Sequence, residues 1–219
     1  MNKHNLIVAN QYDIISNTFD NSRVRIWNSV TNFLTNNCEN KTLLESGCGN
    51  GKNMIFANSL GYKTKGFDIS NKLLDICKEK DLDVYYSDVL DMDKTLKYDK
   101  ILSIAVLHHL ENEEMQKQAI NNLLECLNQN GELLVSFWSK EKTFNTTTLK
   151  KTEKDYRNFN IGPNLVDWKL KDNTIKRFYY IHDYDSILAL ANNINSKNSN
   201  INFSLYWELQ NWFIHFKVN

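Results

Sequence analysis

The chain has 219 residues, 42% hydrophobic and 24% charged, with a formal net charge of zero, which suits one soluble domain with a buried core and leaves no global field to draw in a polyanion. The longest apolar run, "ILSIAVL" at 101–107, is far too short to span a bilayer, and the amino-terminal "MNKHNLIVAN" lacks the features of a secretory signal. Cys38, Cys48, Cys77 and Cys126 form no C-x-x-C pair, so reduced thiols in a cytosolic or nuclear protein are expected, not a disulfide frame or a zinc site.

Residues 4–19 and 23–36 read as helices, the second capped by Ser22 with Val24, Trp27, Val30 and Phe33/Leu34 on one stripe. "KTLLES" (41–46) is a strand that enters a glycine-rich loop, and a helix opens at 51–59. "YKTKGFD" (62–68) is a second strand ending in an acid, after which Ser70 caps a helix that faces Leu73, Leu74 and Cys77 inward. "LDVYYSD" (82–88) and "YDKILSIAVL" (98–107) are the third and fourth strands. Met115, Ala119, Ile120, Leu123, Leu124 and Leu127 keep helical spacing through 113–128, with Asn130-Gly131 as the stop. "ELLVSFW" (132–138) is a buried strand. Beyond it the pattern loosens and resumes as a helix near 184–193. Strands at 201–208 and 211–217 are joined too tightly for a crossover helix and must form an antiparallel hairpin.

Strands alternating with helices predict a mostly parallel sheet covered on both faces. A single α/β domain over 1–219 follows, with amino-terminal helices over 1–37 and an insertion at 139–182. Charge is unevenly spread: 140–177 carries ten Lys/Arg against five Asp/Glu, whereas 68–99 carries five against nine. The first is a solvated face or a patch for a polyanion.

Three of the seven glycines fall in "ESGCGNGKNM" (45–54). A phosphate-binding G-x-x-x-x-G-K-S/T loop fails at Ser46 and Asn53, and the dinucleotide pattern G-x-G-x-x-G/A fails at Lys52. The pattern acid-x-G-x-G-x-G is matched by Glu45, Gly47, Gly49 and Gly51. It belongs to loops that hold S-adenosyl-L-methionine, with the amino-acid tail and ribose lying against the turn. Asp68, 21 residues after Gly47, is spaced to grip ribose hydroxyls. Asp88 is placed to accept from an adenine amino group between Ile69 and Val89. Cys48, Ile104 and Ala105 complete the predicted cofactor contacts. A parallel sheet closed by a terminal hairpin is the order of the class I (Rossmann-like) methyltransferases, which have seven strands.

"GCGNGKN", "GFDIS", "LSIAVLHHL" and "GELLVSFW" resemble the eukaryotic tRNA methyltransferases that esterify 5-carboxymethyluridine at the wobble position. That family includes the methyltransferase domain fused to an AlkB-type hydroxylase. "SRVRIWNSVTNFL" (22–34) is similar to its entry helix, with Ile26 in place of a proline. "LVDWKL", "KRFYYIHDYDSILAL" and "WELQNWFIHFK" are similar to its late segments, with Asp167 in place of proline and Tyr180 in place of histidine. The resemblance implies methylation of a carboxylate on the tRNA anticodon loop. It also implies a small zinc-binding activator subunit that pairs along the edge strand at 82–89, any zinc belonging to that partner.

A carboxylate acceptor is already ionised at neutral pH and needs no general base, so of His108 and His109, the candidate orienting residues, one is expected to orient the carboxylate or the uracil edge while the other packs near the cofactor. Arg25 and Arg177 are candidates for anticodon contacts; Trp138, Tyr179 and Tyr180 are candidates for stacking an extruded base. Two other readings stand beside this one. A small-molecule methyltransferase of quinone or sterol type would share the glycine loop and the histidines. A non-catalytic subunit of the same fold would have lost Asp68 or the glycines.

Overall fold

The computed structural model describes residues 1–36, 41–144, 157–171 and 173–219. In chain order the elements are α1 (Lys3–Ser22), α2 (Asn28–Thr35), β1 (Thr42–Ser46), α3 (Lys52–Ser59), β2 (Lys63–Asp68), α4 (Asn71–Glu79), β3 (Val84–Tyr86), β4 (Tyr98–Ser103), a 3-10 turn (Leu107–His109), α5 (Glu113–Glu125), β5 (Leu127–Trp138), β6 (Gly162–Lys169), β7 (Thr174–Ile181), α6 (Tyr184–Lys197), β8 (Ile201–Glu208) and β9 (Asn211–Val218). Seven strands form one sheet in the order β3-β2-β1-β4-β5-β9-β8, parallel from β3 to β5 and antiparallel across β5-β9-β8. This is the class I methyltransferase sheet that the sequence predicts. No helix among the described residues is long and apolar enough to cross a membrane.

Adjacent apolar residues in the central strands point to opposite faces. Leu43, Leu102 and Leu134 enter one core with Val30 and Leu34 of α2. Their neighbours Leu44, Ile101 and Leu133 enter the other, with Ile120 and Leu123 of α5 and Ile187 and Leu190 of α6. Burial on both sides explains why these strands read as continuous apolar runs.

Besides β3, which keeps only Val84–Tyr86 of the expected 82–88, four departures from the sequence reading bear on the site. Helix α1 runs to Ser22, so Ser22 ends a helix and caps none, and α2 starts only after Trp27. The missing cap comes from Glu208 at the far end of β8, whose carboxylate accepts from the backbone N–H of Asn28 (3.1 Å) and Ser29 (2.8 Å). Strand β4 stops at Ser103 because Ala105 takes a left-handed φ of 59°, held by its N–H bond to Ser136 Oγ at 2.8 Å. Helix α5 ends at Glu125, before Asn130-Gly131; β5 already begins at Leu127 and shifts register at a bulge against β4.

The fourth departure is the β6–β7 hairpin, which the sequence reading passed over. Its inward face is Arg177, Tyr179 and Ile181 and its outward face Lys176, Phe178 and Tyr180, a period-two signal that was present in "KRFYYI". Cys38 and the lysines Lys150, Lys151 and Lys154 of the basic stretch lie outside the described residues. Cys48, Cys77 and Cys126 are free and buried.

Candidate functional site

Strand order reverses on either side of β1 and β4, and ligands of open α/β sheets sit at the carboxyl ends of strands at such a point. A cleft of about 510 Å³ opens there. Every predicted site residue lines it except Gly51 and Tyr180. Gly51 sits behind the loop with φ 76°, where a Cβ would stand 2.2 Å from Leu82 Cδ1. Its missing Cβ lets the loop pack against Leu82 and against Cys77 of α4. Gly47 plays a related part toward β4: at φ 65° its Cβ would meet Val106 Cγ2 at 2.4 Å.

The two acids at the ends of β2 and β3 are held by local backbone. Asp68 is nearly buried and accepts from the N–H of Gly49 and of Ser70, both at 2.9 Å. Burial raises its pKa while those N–H groups pull it down. Asp88 accepts from Leu90 N–H at 3.0 Å and from the amide of Asn5 at 2.7 Å. Asn5 belongs to α1, which crosses the cleft as a strap. Further along it, Asp13 accepts from Ser70 Oγ (2.6 Å) and Asp20 from both Asn50 Nδ2 and Lys80 Nζ (2.9 Å each). The sequence reading gave α1 no part in the site. Its polar residues at helical spacing were the available signal.

Glu45 is buried, with Oε1 bonded to Asn53 Nδ2 at 2.7 Å and Oε2 unpartnered. Burial pushes its pKa up to about 8, against the smaller opposing effects of Asn53 and Lys52. The ligand-free protein therefore keeps a proton on Glu45 at neutral pH. Between the ordinary carboxyl pKa of 4.5 and about 8 the unfolded chain gives up that proton while the folded one holds it, so stability falls as pH rises. A cationic ligand group beside Glu45 would favour ionisation. Cofactor binding is therefore expected to release a proton and to tighten from neutral pH up to about 8. Calorimetry in buffers of different ionisation enthalpy checks this, and Glu45→Gln should abolish the release.

The other half of the cleft lies over β4, β5 and β9. The two histidines have different roles. His109 is saturated: Nδ1 donates to Phe178 C=O at 2.7 Å, so Nε2 accepts from Tyr12 Oη at 2.7 Å. Burial lowers its pKa to about 3, so it is a neutral structural ring. His108 keeps Nδ1 without a partner, and burial holds it neutral too. It stacks on Tyr179 at 4.5 Å, and Trp138 lies 4.3 Å from Tyr179. Tyr180 points away from this cluster, donating to Glu113 at 3.2 Å, and is removed from the stacking set.

Arg177 is 4% exposed. Its guanidinium lies 4.5 Å from the Trp168 ring and 5.0 Å from that of Tyr179, and it donates to Tyr12 Oη at 3.3 Å. No carboxylate among the described residues pairs with it. Arg25, by contrast, is exposed at the rim. Arg157, which sequence reasoning missed, lies 4.7 Å over Trp138 and donates to Gln210 C=O at 2.7 Å. Its neighbours in sequence gave no periodic signal.

The sequence profile of a family described as a methyltransferase domain matches residues 20–192, the span that builds most of this cleft. The chain belongs to the methyltransferase-domain family. Among individual methyltransferases, it is 34% identical over 132 residues to a tRNA (carboxymethyluridine(34)-5-O)-methyltransferase of Arabidopsis thaliana, covering 60% of this chain and 32% of the relative. It is 27% identical to a putative methyltransferase of Encephalitozoon cuniculi, over 82% of each chain. The chain thus spans about a third of the length of the Arabidopsis relative. A solved complex titled DhpI–SAH shares the fold with a TM-score of 0.71 at 12% identity, covering 100% of this chain and 99% of that one.

The cofactor of a class I methyltransferase is S-adenosyl-L-methionine, and the residues here fit it. Of the twelve buried side-chain polar atoms without partners among the described residues, seven belong to residues lining the cleft: Glu45, Ser46, Asn53, His108, Arg157, Arg177 and Asn211. Unpaired buried polar groups are costly, and their concentration here marks a site made for a polar ligand. Among the described residues no cluster of His, Cys, Asp or Glu is arranged to hold a metal ion.

Proposed function

We propose that this methyltransferase esterifies the carboxylate of 5-carboxymethyluridine at the tRNA wobble position, in the cytoplasm or nucleus. The observation that carries the reading is the chemistry of the acceptor half. Among the described residues it holds a buried guanidinium with no counter-charge, flat aromatic faces and no competent base. Both histidines are neutral and His109 has no free nitrogen. A hydroxyl or amine acceptor would need its proton removed, whereas a carboxylate arrives ionised. The similarity to the Arabidopsis enzyme supports the same acceptor.

On this reading Asp68 takes the ribose hydroxyls, Asp88 with Ile69 and Val89 takes the adenine, and Glu45 faces the amino-acid end. Bound cofactor supplies an electrophilic methyl on a sulfonium. The chain's own work is to dehydrate the carboxylate and aim it, which proximity rewards strongly. A guanidinium pressed on the nucleophile would stabilise the ground state and slow attack. Arg177 and Arg157 therefore hold phosphates beside the acceptor nucleotide, and the carboxylate lies toward His108. The test is transfer of labelled methyl to tRNA lacking the wobble ester. Labelling of small quinone- or sterol-type acceptors in place of tRNA would overturn the proposal.

A partner belongs to the same reading. β3 is an edge strand, Tyr86 on it is 47% exposed, and 82–89 contains neither lysine nor proline to discourage pairing. A small zinc-binding subunit adding a strand there is expected to raise soluble yield and activity on co-expression. An isolated chain that is fully soluble and equally active alone would contradict this.

A further inference from the structure

Asn211 opens β9 directly opposite Trp138 of β5, and both line the acceptor half of the cleft. Its side chain is 4% exposed and Oδ1 has no partner. The orientation of the amide is fixed, because Leu209 C=O can only accept and takes Nδ2–H at 2.8 Å. One amide hydrogen and the whole carbonyl therefore remain for a ligand. The turn that carries Asn211 is held firmly. Leu209 and Gln210 have left-handed φ values of 47° and 63°, and Gln210 C=O accepts from Ser139 N–H at 3.0 Å and Arg157 Nη2 at 2.7 Å. Two left-handed residues are what a two-residue hairpin loop requires, and the turn so formed fixes where Asn211 stands.

We propose that Asn211 reads the edge of the acceptor uracil, its Oδ1 accepting from the ring N3–H and its free Nδ2–H donating to a neighbouring ring carbonyl. This rests on the uridine reading above and deepens it. The Trp138 and Tyr179 rings already touch, with centroids 4.3 Å apart, so a uracil held beside this pair in the acceptor half would bring its edge to the residue paired with Trp138. Cytosine offers a lone pair at N3, which would face the Oδ1 lone pairs and leave a buried acceptor unpaired. The amide thereby makes the site select uridine over cytidine.

The test uses anticodon stem-loop RNA carrying 5-carboxymethyluridine or its N3-methyl derivative, with the purified protein and its partner where activity requires one. N3-methylation should cut kcat/KM of the natural enzyme roughly ten- to hundredfold, as for loss of one buried hydrogen bond. Asn211→Ala should start from a comparable loss and be nearly indifferent to N3-methylation, with cofactor affinity by calorimetry unchanged. Should that variant fail to fold, the comparison of the two RNAs on the natural enzyme still decides, since equal rates overturn the proposal. A second arm needs no methyl transfer: the side-chain amide signal of Asn211 is followed by NMR during titration with 5-carboxymethyluridine nucleoside and its N3-methyl form. A shift with the first alone supports the proposal even if RNA is not methylated, in which case the wobble reading fails separately. Methylation of both RNAs at equal rate sinks this proposal and leaves the wobble reading standing.

Discussion

Asp68→Ala is expected to weaken S-adenosyl-L-methionine binding by on the order of 2–3 kcal/mol, the scale of a lost charge-assisted two-oxygen contact. Calorimetry measures it directly. The carboxylate has two duties, since it also receives the N–H groups of Gly49 and Ser70. Asp68→Asn separates them: an amide oxygen keeps one backbone acceptor and the packing but loses the charge. Cofactor affinity should fall in both variants, whereas the thermal midpoint should fall mainly in the alanine one. Unchanged affinity in Asp68→Asn would leave the residue a purely structural clasp of the loop.

Arg177→Ala is expected to act on the opposite half. Tyr179 and Trp168 lose a cation between them, and the cleft loses its buried positive charge. RNA binding should weaken markedly, with the slope of log affinity against log salt falling by roughly 0.7–0.9 for one lost phosphate contact. Cofactor affinity should stay within experimental error, because Arg177 contacts α1 and the β6–β7 hairpin, not the glycine loop. Arg25→Ala should produce a smaller loss, since Arg25 is exposed and a solvated cation contributes less than a desolvated one. Equal, full activity of both variants on modified tRNA would place these arginines outside the acceptor site. If the Arg177 effect vanishes on tRNA without the carboxymethyl group while the salt slope stays put, the guanidinium reads that group and not a phosphate.

The cofactor half was legible in the sequence because its signals are local. Glu45 through Gly51 form one continuous stretch from β1 into the glycine loop, and Asp68 ends β2 while Asp88 follows β3, at spacings the chain alternation fixes. The acceptor half is assembled from distant pieces. Tyr12 reaches His109 across 97 positions, Arg177 reaches Tyr12 across 165, and Glu208 caps a helix 179 positions away. No periodicity can show such pairings. This is why Ser22 was read as a cap, why His109 was read as an orienting group when both its nitrogens are spent, and why Asn211 and Arg157 went unnoticed. The resemblance pointed to segments that line the cleft, but only packing distinguishes inward Tyr179 from outward Tyr180, neighbours on one strand.

The central claim is that a tRNA carboxylate receives the methyl group, and nucleoside mass spectrometry tests it most directly. tRNA carrying 5-carboxymethyluridine is incubated with the protein, its co-expressed partner and S-adenosyl-L-methionine, then digested before and after mild alkali. The account predicts a wobble nucleoside heavier by one methyl group that alkali returns to the free acid, as only an ester can. An alkali-stable methyl on base or ribose, or no methylated nucleoside while a small acceptor is labelled, would contradict it.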